Sequence, residues 1–269
     1  MPAMARERPP VGLTIAGSDS SGGAGIQADL KTFHALGVYG TSAITALTAQ
    51  NTEGVTGIFP VDATFVAEQI ATTVSDIPPD AVKTGMLASR AIVGAVAEAA
   101  DRHAFPSLIV DPVMVATTGA LLLEGDAVEA IRAWLLPRAT LLTPNAPEAA
   151  TLLGWTIRES SQLPAVARVL VEELDVRAVL VKGGDLPGDE LLDVFYDGER
   201  IELFRSPRIE TTSTHGSGCA LSSAIAAHVA RGSEILEAVR KAREWVRRGI
   251  RDAPPLGRGH GPLDLFGDG

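Results

Sequence analysis

Cysteine is almost absent from this 269-residue chain, where Cys219 stands alone. One thiol excludes an intrachain disulfide and fits a reducing compartment. Lysine is scarce as well: Lys31, Lys83, Lys182 and Lys241 face nineteen arginines. A lysine in apolar or glycine-rich surroundings is therefore more informative than usual. No apolar run approaches the ~20 residues of a membrane span. Residues 1–10 are polar and proline-containing, lack the apolar core of a signal peptide, and read as a short loose tail. Positive charge is not in surplus either. The formal net charge of −10 argues against nonspecific nucleic-acid binding, which needs a basic face. Any phosphate-bearing ligand must be met by backbone amides and a few chosen cations. The expectation is a cytoplasmic protein that binds neither membrane nor nucleic acid.

Two chemical signatures are also missing. The five histidines, His34, His103, His215, His228 and His260, show no metal-ligand spacing, which disfavours zinc. No G-x-S-x-G nucleophile elbow occurs, which weakens a serine hydrolase reading.

What is present is a core-forming composition, 46% apolar, arranged as short apolar runs alternating with longer helical stretches. The strand-like runs are 11–16, 42–48, 54–59, 81–84, 107–111, 140–143 and 178–182. Helical stretches fall at 26–36, 65–73, 89–103, 127–136 and 162–174, and the C-terminal part reads as helices over 216–231 and 234–250. This alternation predicts a parallel sheet covered on both faces. Runs 191–196 and 200–204 flank Asp197-Gly198, a hairpin signal that adds an antiparallel edge. The prediction is one α/β domain over 11–269. In such a sheet ligands bind beyond the carboxyl ends of the strands, so the loops there are the ones to read.

The clearest of these is Thr214-His215-Gly216-Ser217-Gly218-Cys219, which opens a helix. Its glycines let the backbone expose successive N–H groups at a helix N-terminus, where an anion is favoured. A ligand-free glycine-rich cap is equally compatible with the hexapeptide. Cys219 lies one step into that helix, and the helix end is expected to lower its pKa. It then serves as a base or a nucleophile, or it is simply a buried inert thiol. A second glycine cluster spans 16–25, but the phosphate-loop pattern with its lysine is absent. Its glycines can bring backbone close to a flat ring. Asp29, one turn into the next helix, either faces that ring or points to solvent. Lys182, at the exit of a buried strand, needs an anion, either a nucleotide phosphate or a carboxylate. Asp111 and Glu148, near neighbouring strand ends, can hold magnesium with waters. Asn145 reads most simply as a helix cap.

Seven segments in order, 16–32, 45–52, 83–87, 111–114, 143–149, 182–184 and 214–219, resemble the hydroxymethylpyrimidine and phosphomethylpyrimidine kinases of thiamine biosynthesis. That family lies within the ribokinase-like superfamily, and the resemblance runs over about 11–262. It implies a ribokinase-like three-layer sandwich, a mostly parallel central sheet with helices on both faces and a small antiparallel edge. It implies ATP as co-substrate, Mg2+, a small pyrimidine as acceptor and a homodimer. Gln50 would pair with the aminopyrimidine edge, and Gly17, Ala24, Asp29, Met86 and Val113 would complete the acceptor pocket. Asn145, Lys182 and Thr211 would contact ATP, and Asp111 and Glu148 would position magnesium. The amides of Gly216, Ser217, Gly218 and Cys219 would form the anion hole, with the Cys219 thiol as the base where most superfamily relatives carry aspartate. Two departures are Ser20, where many relatives have proline, and Ser217, where many have threonine. The competing readings are a pyridoxal kinase on the same scaffold, a cysteine hydrolase using Cys219 and His215, and a nucleotide sensor without turnover.

Overall fold

The computed structural model describes residues 8–115, 119, 122–123 and 125–267. In chain order the elements are β1 (Val11–Ala16), α1 (Gly25–Ala35), β2 (Tyr39–Ile44), β3 (Ala46–Gln50), β4 (Val55–Pro60), α2 (Ala63–Asp76), β5 (Ala81–Thr84), α3 (Arg90–Arg102), β6 (Leu108–Val110) and α4 (Gly125–Ala130). There follow β7 (Leu141–Leu142), α5 (Ala146–Leu153), α6 (Leu163–Leu174), β8 (Val179–Val181), β9 (Glu190–Tyr196), β10 (Ile201–Pro207), α7 (Ser217–Ala230) and α8 (Ile235–Arg251).

Eight strands form one sheet in the order β10-β9-β8-β7-β6-β5-β1-β2. The run from β8 to β2 is parallel, and β9 and β10 join antiparallel at the edge. Alternate residues feed opposite faces, as the pleat requires. Leu108 and Val110 pack with α2 to α6, whereas Ile109 packs with α1, α7 and α8; Val179 and Val181 separate from Leu180 in the same way. Helices therefore cover both faces, the three-layer arrangement expected.

The predicted strand 42–48 is two strands in different sheets. The break falls at Thr45, whose N–H donates to the Ala16 carbonyl and whose carbonyl accepts from Val61. Its hydroxyl donates to the Met86 carbonyl at 2.6 Å. With its polar groups so committed, Thr45 turns the chain out of the main sheet, and β3 pairs antiparallel with β4 as a separate hairpin. The helix predicted at 127–136 also divides. It runs as α4, a π turn over Ile131–Leu135 and a 3-10 turn over Leu136–Arg138, where Pro137 cannot donate an intrahelical bond. Part of the predicted loose tail is tied down: Arg8 bonds both oxygens of Asp80 at 3.0 Å, and Pro10 accepts from Tyr39. Among the described residues no helix is long and apolar enough to cross a membrane.

Candidate active site

The loops after β1, β6, β7 and β8, the start of α7 and the inner face of β3 border one cavity of about 580 Å3. One end lies at the turn into α7. Gly216 there has φ +79°, and any Cβ at this position would meet the carbonyl of Gly23. Only glycine lets the two loops abut so closely. The Ser217 amide donates to the Thr214 carbonyl at 3.1 Å, so the Gly218 and Cys219 amides are the first-turn donors left without an intrahelical acceptor. The amides of Gly216 to Cys219 were expected to supply the hole; that of Ser217 is already committed.

Asp111 sits beside these amides, 1% exposed. Its carboxylate accepts from Lys182 Nζ at 3.1 Å, Thr143 Oγ1 at 3.2 Å and Ser222 Oγ at 3.2 Å. Burial disfavours the charged form of Lys182, but the Asp111 and Glu148 carboxylates hold it protonated and raise its pKa. Glu148 moves the other way. Burial, with the Asp111 charge adding, raises it to about 7 against the pull of Lys182. Asn145 caps α5: its side chain accepts from the Glu148 N–H while Glu148 accepts from the Asn145 N–H, both at 2.8 Å. The cap reading of Asn145 is thus observed, and it also holds Glu148 at the cavity wall.

Cys219 is half-buried and lines the cavity. Its pKa is not lowered as the helix end predicts. Burial raises it to about 11, and the nearby Lys83 ammonium only partly offsets that. The Cys219 thiol is neutral at neutral pH.

The other end is built by residues 17–25 and β3. A Cβ at Gly17 would press on the Met86 methyl, which would have to swing aside. Thr48 and Gln50, two apart on β3, both face the cavity. The Ser20 hydroxyl accepts from the Gln50 N–H at 2.9 Å and donates to the Gln50 carbonyl at 2.8 Å. A proline at position 20 could make neither bond.

A family model described as phosphomethylpyrimidine kinase matches residues 19–264. A hydroxymethylpyrimidine/phosphomethylpyrimidine kinase of Synechococcus elongatus is 46% identical over 258 residues, covering 96% of this chain and 97% of that one. The chain belongs to the phosphomethylpyrimidine kinase family. It is a phosphotransferase of the ribokinase-like fold. The thiamine biosynthesis bifunctional protein ThiED of Geobacter sulfurreducens is 49% identical over 94% of this chain, which spans 51% of that longer protein. Among solved structures, an ADP complex of Bacillus subtilis pyridoxal kinase superposes with a TM-score of 0.88 at 38% identity, over 95% of this chain and 97% of that one.

Of the residues that resemblance to this kinase family implied, Gly17, Ala24, Gln50, Met86, Val113, Asp111, Asn145, Glu148, Lys182, Gly216, Ser217, Gly218 and Cys219 border the one cavity. Asp29 does not. It neither faces a ring nor points to solvent, being fully buried with both oxygens 2.9 Å from Lys83 Nζ. Thr14 and Ser223 hydroxyls also donate to it, at 2.6 and 2.5 Å. Charge pairing with an equally buried lysine, 54 positions away, decides its place. Thr211 also lies off the cavity, exposed, with its hydroxyl accepting from the Ser213 N–H.

Some features of the cavity escaped the sequence reading, the partner of His215 first among them. Asp19 and His215 are paired across 196 positions, a contact no local spacing can announce. Nε2 of His215 serves Asp19, and no hydrogen bond joins it to Cys219 among the described residues, which removes the basis for a cysteine–histidine hydrolase. Arg208, Arg243 and Arg247 also line the wall. Arg243 stacks on Phe204 and bonds Asp193, whose other oxygen accepts from the Gly183 N–H at 2.9 Å. The i, i+4 spacing of Arg243 and Arg247 was the available signal, lost among many arginines.

Proposed function

We propose that this chain transfers the γ-phosphoryl group of ATP to the hydroxymethyl oxygen of 4-amino-5-hydroxymethyl-2-methylpyrimidine, and then phosphorylates the resulting monophosphate to the diphosphate. The observation that carries this reading is one cavity bordered by the glycine-rich loop 17–25 at one end and by helix-start amides with Asp111 and Lys182 at the other. The ring would lie on Gly17 and Ala24, between Met86 and Val113, with the Gln50 amide reading its edge. Lys182 and Asn145 would face the ATP phosphates. The Gly218 and Cys219 amides would receive the charge that develops on the transferring group. In the first step the acceptor oxygen–phosphorus bond forms as the bond to ADP breaks, and the hydroxyl proton passes to the Cys219 thiolate fraction. Such catalysis is mostly positioning and electrostatics.

The Asp111 and Glu148 carboxylates offer oxygen donors, which suit magnesium, an ion that keeps several waters and takes few protein ligands. Asp111 and Glu148 would hold it, and it would neutralise phosphate charge. Cytoplasmic location, a single kinase domain over 11–269 and a homodimer complete the reading. The dimer is supported by the apolar outer face of the hairpin, where cross-strand partners Leu47 and Phe59 are 48% and 69% exposed.

Pyridoxal is the second acceptor to consider, because a pyridoxal kinase shares the fold so closely. Incubation with ATP, magnesium and either acceptor, followed by mass spectrometry, tests both. The pyrimidine mono- and then diphosphate is the expected product. Pyridoxal phosphate alone would keep the fold and chemistry and change the substrate; no product from either would overturn the proposal.

A further inference from the structure

Asp19 and His215 are both at the cavity and both nearly inaccessible, at 1% and 3% exposure, yet neither has a place in the chemistry above. Asp19 Oδ1 accepts from the Ser21 N–H at 2.8 Å and the Ser21 hydroxyl at 2.7 Å. Its Oδ2 accepts from Gly23 N–H at 3.1 Å, Ala24 N–H at 2.8 Å and His215 Nε2 at 2.8 Å. Burial opposes ionisation, but the hydrogen bonds from His215 and Ser21 outweigh it and lower the pKa to about 2. An ionised carboxylate only accepts, so Nε2 carries the proton.

The pair closes a circuit around the acceptor end. The His215 N–H donates to the Gly261 carbonyl at 3.1 Å, in the C-terminal segment 256–262. That segment grips the end of the β3–β4 hairpin: Arg258 and Gly259 N–H groups donate to the Thr52 hydroxyl, each at 3.2 Å, and His260 N–H to the Thr52 carbonyl at 2.8 Å. Thr52 lies two residues beyond Gln50, and Ser20 returns from Gln50 to the residue beside Asp19. Of these links only Asp19–His215 joins the acceptor loop by side chains to the hexapeptide that carries the anion hole. It is also the link with charge behind it, and charged hydrogen bonds are roughly twice as strong as neutral ones.

We propose that the Asp19–His215 pair is a positioning device that sets the acceptor loop in register with the anion hole, fixing the line between the acceptor oxygen and the phosphoryl group. Neither residue touches the reacting atoms. They act through Ala24 on the ring side and Gly216 on the phosphoryl side. A misplacement of about 1 Å in such an arrangement costs about 10²-fold in rate. This inference rests on the proposed acceptor site and deepens it.

The test uses His215→Gln, His215→Asn and Asp19→Asn in the full chain. Turnover on the hydroxymethyl acceptor should fall about 10²-fold while KM for ATP stays within about twofold. ADP release should exceed acceptor phosphorylation, because a loosened register admits water in place of the acceptor. The double variant Asp19→Asn/His215→Gln should lose no more than the worse single variant, since the two act as a unit. Unchanged turnover would overturn the proposal. So would a lowered melting temperature with ADP and product still formed one for one, which is the mark of a purely structural staple, and so would failure of all three to fold. If the unaltered protein phosphorylates neither acceptor, the functional reading fails first, visibly without any variant, and takes this inference with it.

Discussion

At Cys219 two influences oppose each other, the helix start that favours a thiolate and the burial that penalises it. Burial wins, leaving a thiol with pKa near 11. If its minor thiolate form accepts the hydroxyl proton, turnover on the hydroxymethyl acceptor should rise with pH, about tenfold per unit between pH 7 and 10. Cys219→Ser should lower that turnover about 10²-fold with ATP binding nearly intact. The second transfer should suffer less, because a phosphate oxygen is already deprotonated at neutral pH. Steady-state kinetics on each acceptor measure all three, and full activity in Cys219→Ser would remove the thiol as base. Lys83 makes a different expectation, about stability. Its pairing with Asp29 leaves both side chains at 0% exposure, so Lys83→Met strands a buried carboxylate and should cost about 3–5 kcal/mol. Chemical denaturation reads this directly; a loss below about 1 kcal/mol, the scale of exposed pairs such as Arg8–Asp80, would refute it.

Among the elements, α5 shows how a local motif serves two purposes. Its capping box stabilises the helix and, through the same bonds, holds Glu148 against the cavity. Asn145→Ala should cost about 1 kcal/mol, the usual worth of a cap. Asn145→Asp keeps an accepting oxygen and should retain stability, while its charge should raise KM for ATP. Equal KM values in Asn145→Asp and the unaltered protein would leave the residue as a cap alone. The hairpin β3–β4 divides its faces by parity. Thr48 and Gln50 look into the cavity and Leu47 looks away, so one element offers a polar inner face and an apolar outer one.

For the whole molecule, that outer face bears on assembly. Sedimentation equilibrium should give a dimer, and Phe59→Glu should shift it towards monomer without changing the β-sheet signature in circular dichroism. A monomer in the unaltered protein would contradict the dimer.

Much of this architecture was legible in order along the chain. Short apolar runs and period-3.6 patterning marked β1 to the residue and put most other elements within a few residues, because strands buried on both faces read as near-continuous apolar runs; β5 fell at the expected 81–84 even though half of it is the buried polar pair Lys83 and Thr84. The seven motifs pointed to the cavity because strand ends of a parallel sheet collect at one edge. The sequence by itself thus determined the layers, the sheet edge that carries the site, and the family. Tertiary structure alone decided which polar groups meet. Asp29 lies with Lys83 and off the cavity, Asp19 meets His215 across most of the chain, strand 42–48 breaks at Thr45, and the Cys219 thiol stays neutral. Hydrogen bonding and desolvation depend on neighbours brought together by folding, and no local spacing records who those neighbours are.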